Sequence, residues 1–102
     1  MCVSDEYNGY LIQVEVKGKH DYARFGEIRS QVGYATVEQG HEVAFYLDYE
    51  ISEMAALDRL PQADPADVAR QECFARAKAV IDSGRFSKGE RLYQSTFRNA
   101  EK

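Results

Sequence analysis

Between Glu42 and Ile51 the chain reads Glu-Val-Ala-Phe-Tyr-Leu-Asp-Tyr-Glu-Ile. Apolar side chains occupy every second position, namely Val43, Phe45, Leu47, Tyr49 and Ile51. The intervening set is more polar and consists of Glu42, Ala44, Tyr46, Asp48 and Glu50. Because successive side chains of a strand point to opposite faces, this period of two predicts a strand that buries one face. The other face presents acidic groups and a tyrosine to water or to a partner.

Two neighbouring segments also carry strand signals. From Tyr10 to Lys17 apolar and polar residues alternate, directly after Asn8-Gly9, a dipeptide typical of tight turns. The segment from Gly18 to Asp21 is expected to interrupt this alternation. Tyr34 to Glu38 reads as a further strand, and the short Gln39-Gly40 connection that follows it predicts a hairpin with the strand described above.

The segment from Tyr22 to Val32 fits two interpretations. Helical spacing relates four of its residues, which are Tyr22, Phe25, Ile28 and Val32, and Asp21 is a suitable helix cap. Gly26 is unfavourable inside a helix, however, and partial alternation fits a strand with a bulge at this glycine. We favour the strand and keep the helix as the alternative.

The clearest local signal is Asp64-Pro65-Ala66-Asp67, which predicts the start of a helix. Asp64 can accept hydrogen bonds from free N–H groups of the first turn, and proline is tolerated at the first helical position. An apolar stripe follows, formed by Ala66, Ala69, Cys73, Phe74, Ala77, Val80 and Ile81. Gly84 suits the left-handed position that ends a helix. We expect this helix, from Pro65 to Ser83, to cover the apolar face of the strands.

These signals together predict an α+β fold, with a three- or four-stranded, mainly antiparallel sheet and one principal C-terminal helix packed on one face. One or two further helical turns are predicted from Met54 to Leu60, where Pro61 ends them. A length of 102 residues allows one small domain, 1–102. Apolar residues make up 44% of the chain and charged residues 29%, a composition typical of an ordinary folded protein.

Charge is distributed unevenly along the chain. Residues 1–60 contain eleven acidic and five basic residues, whereas 61–102 contain six acidic and eight basic ones. The basic excess concentrates in 85–102, which we interpret as a partly apolar C-terminal extension. It contains four large apolar side chains, namely Phe86, Leu92, Tyr93 and Phe97. Four large apolar side chains are too many for a tail that is fully exposed to solvent, so they are expected to pack either on the edge of the domain or on another chain.

No catalytic, cofactor or metal motif is apparent. His20, His41, Cys2 and Cys73 lack the spacing of metal ligands, and the glycines form no phosphate-binding loop, so we expect no metal and no cofactor. Cys73 on an apolar helix stripe is interpreted as a core residue. Asp48 and Glu50 share a strand face, which suggests a soluble surface before it suggests an acid/base pair. No stretch of the chain resembles a signal peptide or a membrane span, so the expected location is the cytoplasm.

The sequence therefore favours a small non-catalytic binding or regulatory protein that acts through a protein partner or through self-association, including a homodimer. The predicted partner-binding residues are Tyr46, Asp48, Glu50, Phe86, Arg91, Tyr93 and Phe97. A nucleic-acid-associated protein that uses the basic C-terminal segment is the alternative, although a pI of about 5.1 disfavours it. A small enzyme whose site is not visible in the sequence is a further alternative.

Overall fold

The protein was characterised as a computed structural model that describes residues 2–23 and 26–96, apart from the side chains of 21–23 and 26–28. Its elements are β1 (Cys2–Tyr7), β2 (Tyr10–Ala23), β3 (Gly26–Gln39), β4 (Glu42–Ser52), α1 (Glu53–Arg59), α2 (Pro65–Ser83) and β5 (Glu90–Thr96). The strands form one sheet in the order β1-β2-β3-β4-β5. Neighbours are antiparallel from β1 to β4, whereas β5 returns parallel to β4 after the two helices. The prediction of an α+β fold with a mainly antiparallel sheet and one principal helix is confirmed.

The expected number of strands is wrong, because the sheet has five strands instead of three or four. The two additional strands, β1 and β5, form its edges, and β5 lies within the predicted extension, 85–102. Neither edge strand contains a fully buried residue, so neither carries a strong apolar alternation. A short second helix, α1, occupies most of the segment for which one or two helical turns were predicted.

The long hairpin of β2 and β3 corrects two further expectations. The segment from Gly18 to Asp21 does not interrupt β2, since Gly18 pairs with Gln31 and Asp21 with Ile28. The segment from Tyr22 to Val32 is neither a helix nor one bulged strand, because it includes the end of β2 and the start of β3. Pairing with β4 stops at Ser30, so the hairpin continues beyond it as a two-stranded ribbon. Without a third strand such a ribbon has little reason to alternate apolar with polar residues.

The core lies between the sheet and α2, which packs across β2, β3 and β4. The sheet contributes Ile12, Val14, Ala35, Val37, Phe45, Leu47, Tyr49 and Ile51, and the helix contributes Val68, Ala69, Cys73 and Ala77. The predicted inward side of β4 is thus confirmed for four residues, while Val43 at its start is only partly buried.

Both ends of α2 are set by the residues that the sequence indicates. Asp64 accepts a hydrogen bond from the Ala66 N–H at 2.9 Å, and Gly84 adopts the left-handed conformation with φ of 67°. An L-residue with a side chain is strained at that φ, which explains why glycine ends this helix. Within the described part of the chain, no helix is both long and apolar enough to cross a membrane.

Candidate functional site

The face of the sheet opposite α2 carries aromatic and charged side chains in rows that cross the strands. One row contains Glu15, Tyr34, Asp48 and Tyr93, and the next contains Gln13, Thr36, Tyr46 and Arg91. Neighbours within a row have Cβ atoms about 5 Å apart, close enough for their side chains to interact. We call Tyr34, Tyr46, Asp48, Arg91 and Tyr93 the tyrosine face.

Arg91 links β5 to β4 on this face. Its Nη1 donates hydrogen bonds to Asp48 Oδ1 at 3.0 Å and to Oδ2 at 3.2 Å, across 43 positions of sequence. Its guanidinium carbon also lies 4.6 Å from the centre of the Tyr46 ring, a cation–π contact. The Arg91 side chain nevertheless stays 58% exposed. A charged, planar group is therefore held in place while most of its surface faces solvent.

Glu50, on the same strand as Asp48, is buried although it points to the open face. Its side chain is only 5% exposed, and its Oε1 lies 3.5 Å from the Lys19 Nζ. Ser30 Oγ donates to Glu50 Oε2 at 2.7 Å, and Tyr93 Oη donates to Oε1 at 2.8 Å. Burial by itself would raise the pKa of Glu50, but the two hydrogen bonds and Lys19 outweigh burial and lower it. The carboxylate is therefore ionised and committed to contacts inside the protein.

Tyr93 and Tyr34 supply the exposed aromatic surface. Tyr93 is 61% exposed and Tyr34 is 40% exposed, and both belong to the same row. Partial burial and the hydrogen bond to Glu50 raise the pKa of Tyr93, so its phenol keeps its proton at neutral pH and donates it to the carboxylate. The hydroxyl of Tyr93 is thus anchored while its ring remains accessible.

The structure brings together five of the seven predicted partner-binding residues, which are Tyr46, Asp48, Glu50, Arg91 and Tyr93. Phe86 lies apart from them, on the opposite side of the sheet, where its ring is 4.7 Å from that of Phe45 and 6.3 Å from that of Tyr10. It therefore closes one end of the core. Phe97 lies outside the described residues.

Sequence reasoning missed Tyr34, Ser30 and Lys19 as members or supports of this face. The signal for Tyr34 was present, because it alternates with Ala35, whose side chain is buried in the core. No signal identified Ser30 or Lys19, since their relevance depends on the pairing of β2 with β3 and of β3 with β4.

Two kinds of group were considered for enzyme chemistry. The Cys73 thiol lies in the core, and the carboxylates of Asp48 and Glu50 accept hydrogen bonds from other side chains of the protein. Cys73 is fully buried, and burial, followed by the negative charge of Asp48, raises the pKa of its thiol to about 12. Three surface depressions have volumes of about 170, 240 and 410 Å³, and neither Cys73 nor Asp48 lines any of them. Among residues 2–23 and 26–96, no three His, Cys, Asp or Glu side chains converge as metal ligands.

Two of the three described basic residues of the C-terminal segment are paired with carboxylates, and the third, Arg85, is exposed. Lys88 forms an ion pair with Glu42, and Arg91 forms one with Asp48. The open face carries more negative than positive charge, because the registers place Glu6, Glu15, Glu38, Asp48 and Glu50 there with only Lys17, Lys19 and Arg91 among the described residues. This surface therefore lacks the excess of positive charge that a phosphate backbone requires.

Comparison with known proteins adds no assignment. No family model matches the chain, and no curated protein and no solved structure matches it either. No residue of this protein therefore takes a role from a relative. The chemistry of the tyrosine face remains the basis for assigning a function.

Proposed function

We propose that this chain is a non-catalytic binding protein that recognises another protein through the tyrosine face. The observation that carries the proposal is the exposure of Tyr93 and Tyr34, 61% and 40%, in one row of a sheet face that also holds Arg91. Protein interfaces are enriched in tyrosine and arginine, because these side chains bury a large area and also form polar contacts.

Preorganisation of this face supports the same function. Arg91 is held by Asp48 and Tyr46, and the Tyr93 hydroxyl is held by Glu50. Side chains that are already ordered lose less conformational entropy when a partner binds. The face also lies on paired strands, which keep its side chains in fixed relative positions.

The balance of charge favours a protein partner over nucleic acid. Affinity for nucleic acid comes mainly from cations that are available to neutralise phosphates. On the open face Arg91 is already paired with Asp48, and Lys19 lies against Glu50. A protein surface of mixed charge, with aromatic or apolar groups for the tyrosine rings, matches the face better.

The proposal is tested by affinity purification from the source cells with two variants of the face and two matched controls. Tyr34→Ser and Arg91→Ala remove side chains from the tyrosine face. Met54→Ser removes an exposed apolar side chain from α1, and Arg85→Ala removes an exposed arginine that precedes β5. Thermal unfolding establishes that all four variants are folded.

A protein that is retained by the wild type and by both controls, but is lost with both face variants, supports the proposal. Retention of every copurifying protein by Tyr34→Ser and Arg91→Ala contradicts it. Recovery of a nuclease-sensitive complex that depends on Arg91 would instead support the nucleic-acid alternative.

A further inference from the structure

The outer edge of β5 leaves backbone groups without a strand partner. β5 pairs with β4 on one side, and no other strand among the described residues pairs with it. An edge strand presents N–H and C=O groups that can pair with another chain, and proteins usually block such edges with charged side chains, proline or a bulge. In β5 the charged side chains are confined to the first two residues, Glu90 and Arg91, and Leu92 to Thr96 contain no charge, no proline and no bulge.

We propose that two copies of this chain pair through β5, antiparallel and with Leu92 opposite the partner's Leu92. The product is a two-fold symmetric dimer whose sheet continues through the interface for ten strands. A two-fold axis closes the assembly, because the same edge is used by both copies.

This register matches side chains on both faces of the sheet. On the open face Arg91 of each copy lies opposite the partner's Tyr93. The Arg91 guanidinium already contacts the Tyr46 ring, and the side chain has 58% of its surface free to take a second aromatic neighbour. On the helix side the half-buried Leu92 meets an apolar side chain of the partner, and Glu90 lies opposite the partner's Gln94.

Other arrangements are less favourable. A shift that places Arg91 opposite the partner's Arg91 opposes two positive charges. A shift that centres the pair on Tyr93 separates the leucines and both arginine–tyrosine pairs.

The second edge of the sheet, β1, is poorly suited to pairing with itself. Its charged residues, Asp5 and Glu6, are both acidic, so an antiparallel β1 pair gathers four negative charges and no positive charge along the interface. Pairing of β1 with the partner's β5 uses two different edges and gives an open chain of molecules instead of a closed dimer. The edge of β5 is therefore the one that fits a symmetric partner.

Dimerisation in this way places two tyrosine faces side by side on one continuous sheet. That consequence rests on the proposed function, whereas the strand pairing does not. A partner of the dimer would meet two copies of Tyr34, which lies on β3, away from the β5 interface.

The pairing is tested by sedimentation equilibrium of the wild-type chain at about 100 µM, a concentration that detects dissociation constants in the micromolar range. We expect twice the monomer mass of 11.6 kDa. Leu92→Lys, which opposes two ammonium groups at the symmetry axis, should restore the monomer. Leu57→Lys, the same change at an exposed leucine of α1, should remain dimeric.

The register is tested by electron paramagnetic resonance on a spin label at Ser95→Cys, in a Cys2→Ser background. Pulsed electron–electron double resonance measures the longer distance and continuous-wave line broadening the shorter one. With Leu92 at the axis, the two Cα atoms of residue 95 lie about 20 Å apart, and with Tyr93 at the axis about 13 Å apart. Any one of three results overturns the proposal. These are a monomer mass for the wild type, a Leu92→Lys variant that remains dimeric, and the shorter of the two distances between the Cα atoms of residue 95. If the wild type is a monomer, but Tyr34→Ser still abolishes binding of its protein partner, the dimer alone is refuted. If the wild type is a dimer, but no protein partner depends on Tyr34, the proposed function alone is refuted.

Discussion

Gly33 of β3 lies directly against Cys73 of α2. A Cβ atom built on Gly33 would lie 2.9 Å from the Cβ of Cys73 and 3.0 Å from its Sγ, and 3.6 Å from the carbonyl oxygen of Ala69. The helix and the sheet therefore approach each other closely at a position where one side has no side chain. This contact explains why a glycine stands in the middle of a long strand, where glycine is otherwise unfavourable.

Gly33→Ala is expected to destabilise the protein by about 1–3 kcal/mol, because the added methyl group forces α2 away from the sheet. Gly18→Ala is the matched control. There the added carbon meets only the flexible Gln31 side chain, at 3.5 Å, so the free energy of unfolding should change by less than about 1 kcal/mol. Urea denaturation of both variants measures the difference. Equal midpoints would contradict the close contact of Gly33 with Cys73.

The two cysteines are expected to react at very different rates with a thiol reagent. Cys2 is exposed, whereas Cys73 is buried and its pKa of about 12 leaves roughly one thiol in ten thousand ionised at pH 8. Native protein should therefore show one fast equivalent, and the second should appear only after unfolding by denaturant. Fast reaction of Cys73 in the Cys2→Ser protein would restore the cysteine as a candidate nucleophile.

Glu50 is expected to make stability depend on pH in the acidic range. Its pKa is lowered in the folded protein from an ordinary value of 4.5, so its contribution to stability is complete above that pH. The contribution is lost as the pH falls through the lowered pKa of the folded state, because protonation then favours the unfolded chain. Glu50→Gln should cost about 1–3 kcal/mol at pH 7, and the difference from wild type should shrink on acidification.

The control for Glu50 is Glu42→Gln, which removes an exposed ion pair with Lys88. Exposed pairs contribute little, so we expect a loss of less than about 1 kcal/mol at pH 7. Urea denaturation at several pH values measures both variants. The free energy of unfolding is compared with that of the wild type at each pH. If the difference between Glu50→Gln and the wild type stays constant down to the acid transition, the Glu50 carboxylate is not the stabilising group.

Ala77→Asp is expected to be severely destabilising, by several kcal/mol, because Ala77 is fully buried between α2 and the sheet and the new carboxylate would have no partner there. Lys78→Ala should cost less than about 1 kcal/mol, since it removes a partly exposed ion pair with Asp5 and a cation–π contact with the Tyr7 ring. Denaturation midpoints compare the two neighbouring positions. Similar losses would mean that the buried side of α2 is assigned incorrectly.

Local chemistry was sufficient to predict several elements. A helix that starts after Asp64 and ends at Gly84 follows from hydrogen bonding and backbone freedom within a few residues. The inward side of β4 follows from the alternation of apolar and polar residues, which is the pattern of a strand with one buried face. The positive φ of Asn8, Gly9 and Gly40 agrees with the turn signals at those positions.

Tertiary structure alone decided the edges of the sheet and the composition of the tyrosine face. β1 and β5 show no apolar period, since only Leu92 is apolar among the inward positions of β5, Leu92, Gln94 and Thr96. The number of strands therefore depended on pairing between distant segments. Arg91 meets Asp48 only because β5 returns parallel to β4, and Glu50 is buried only because Ser30 and Tyr93 meet around it. Sequence alone placed Tyr46, Asp48 and Glu50 on one strand face, since the strand period is local. Which residues of other strands surround them depends on contacts across tens of residues, which no local pattern encodes.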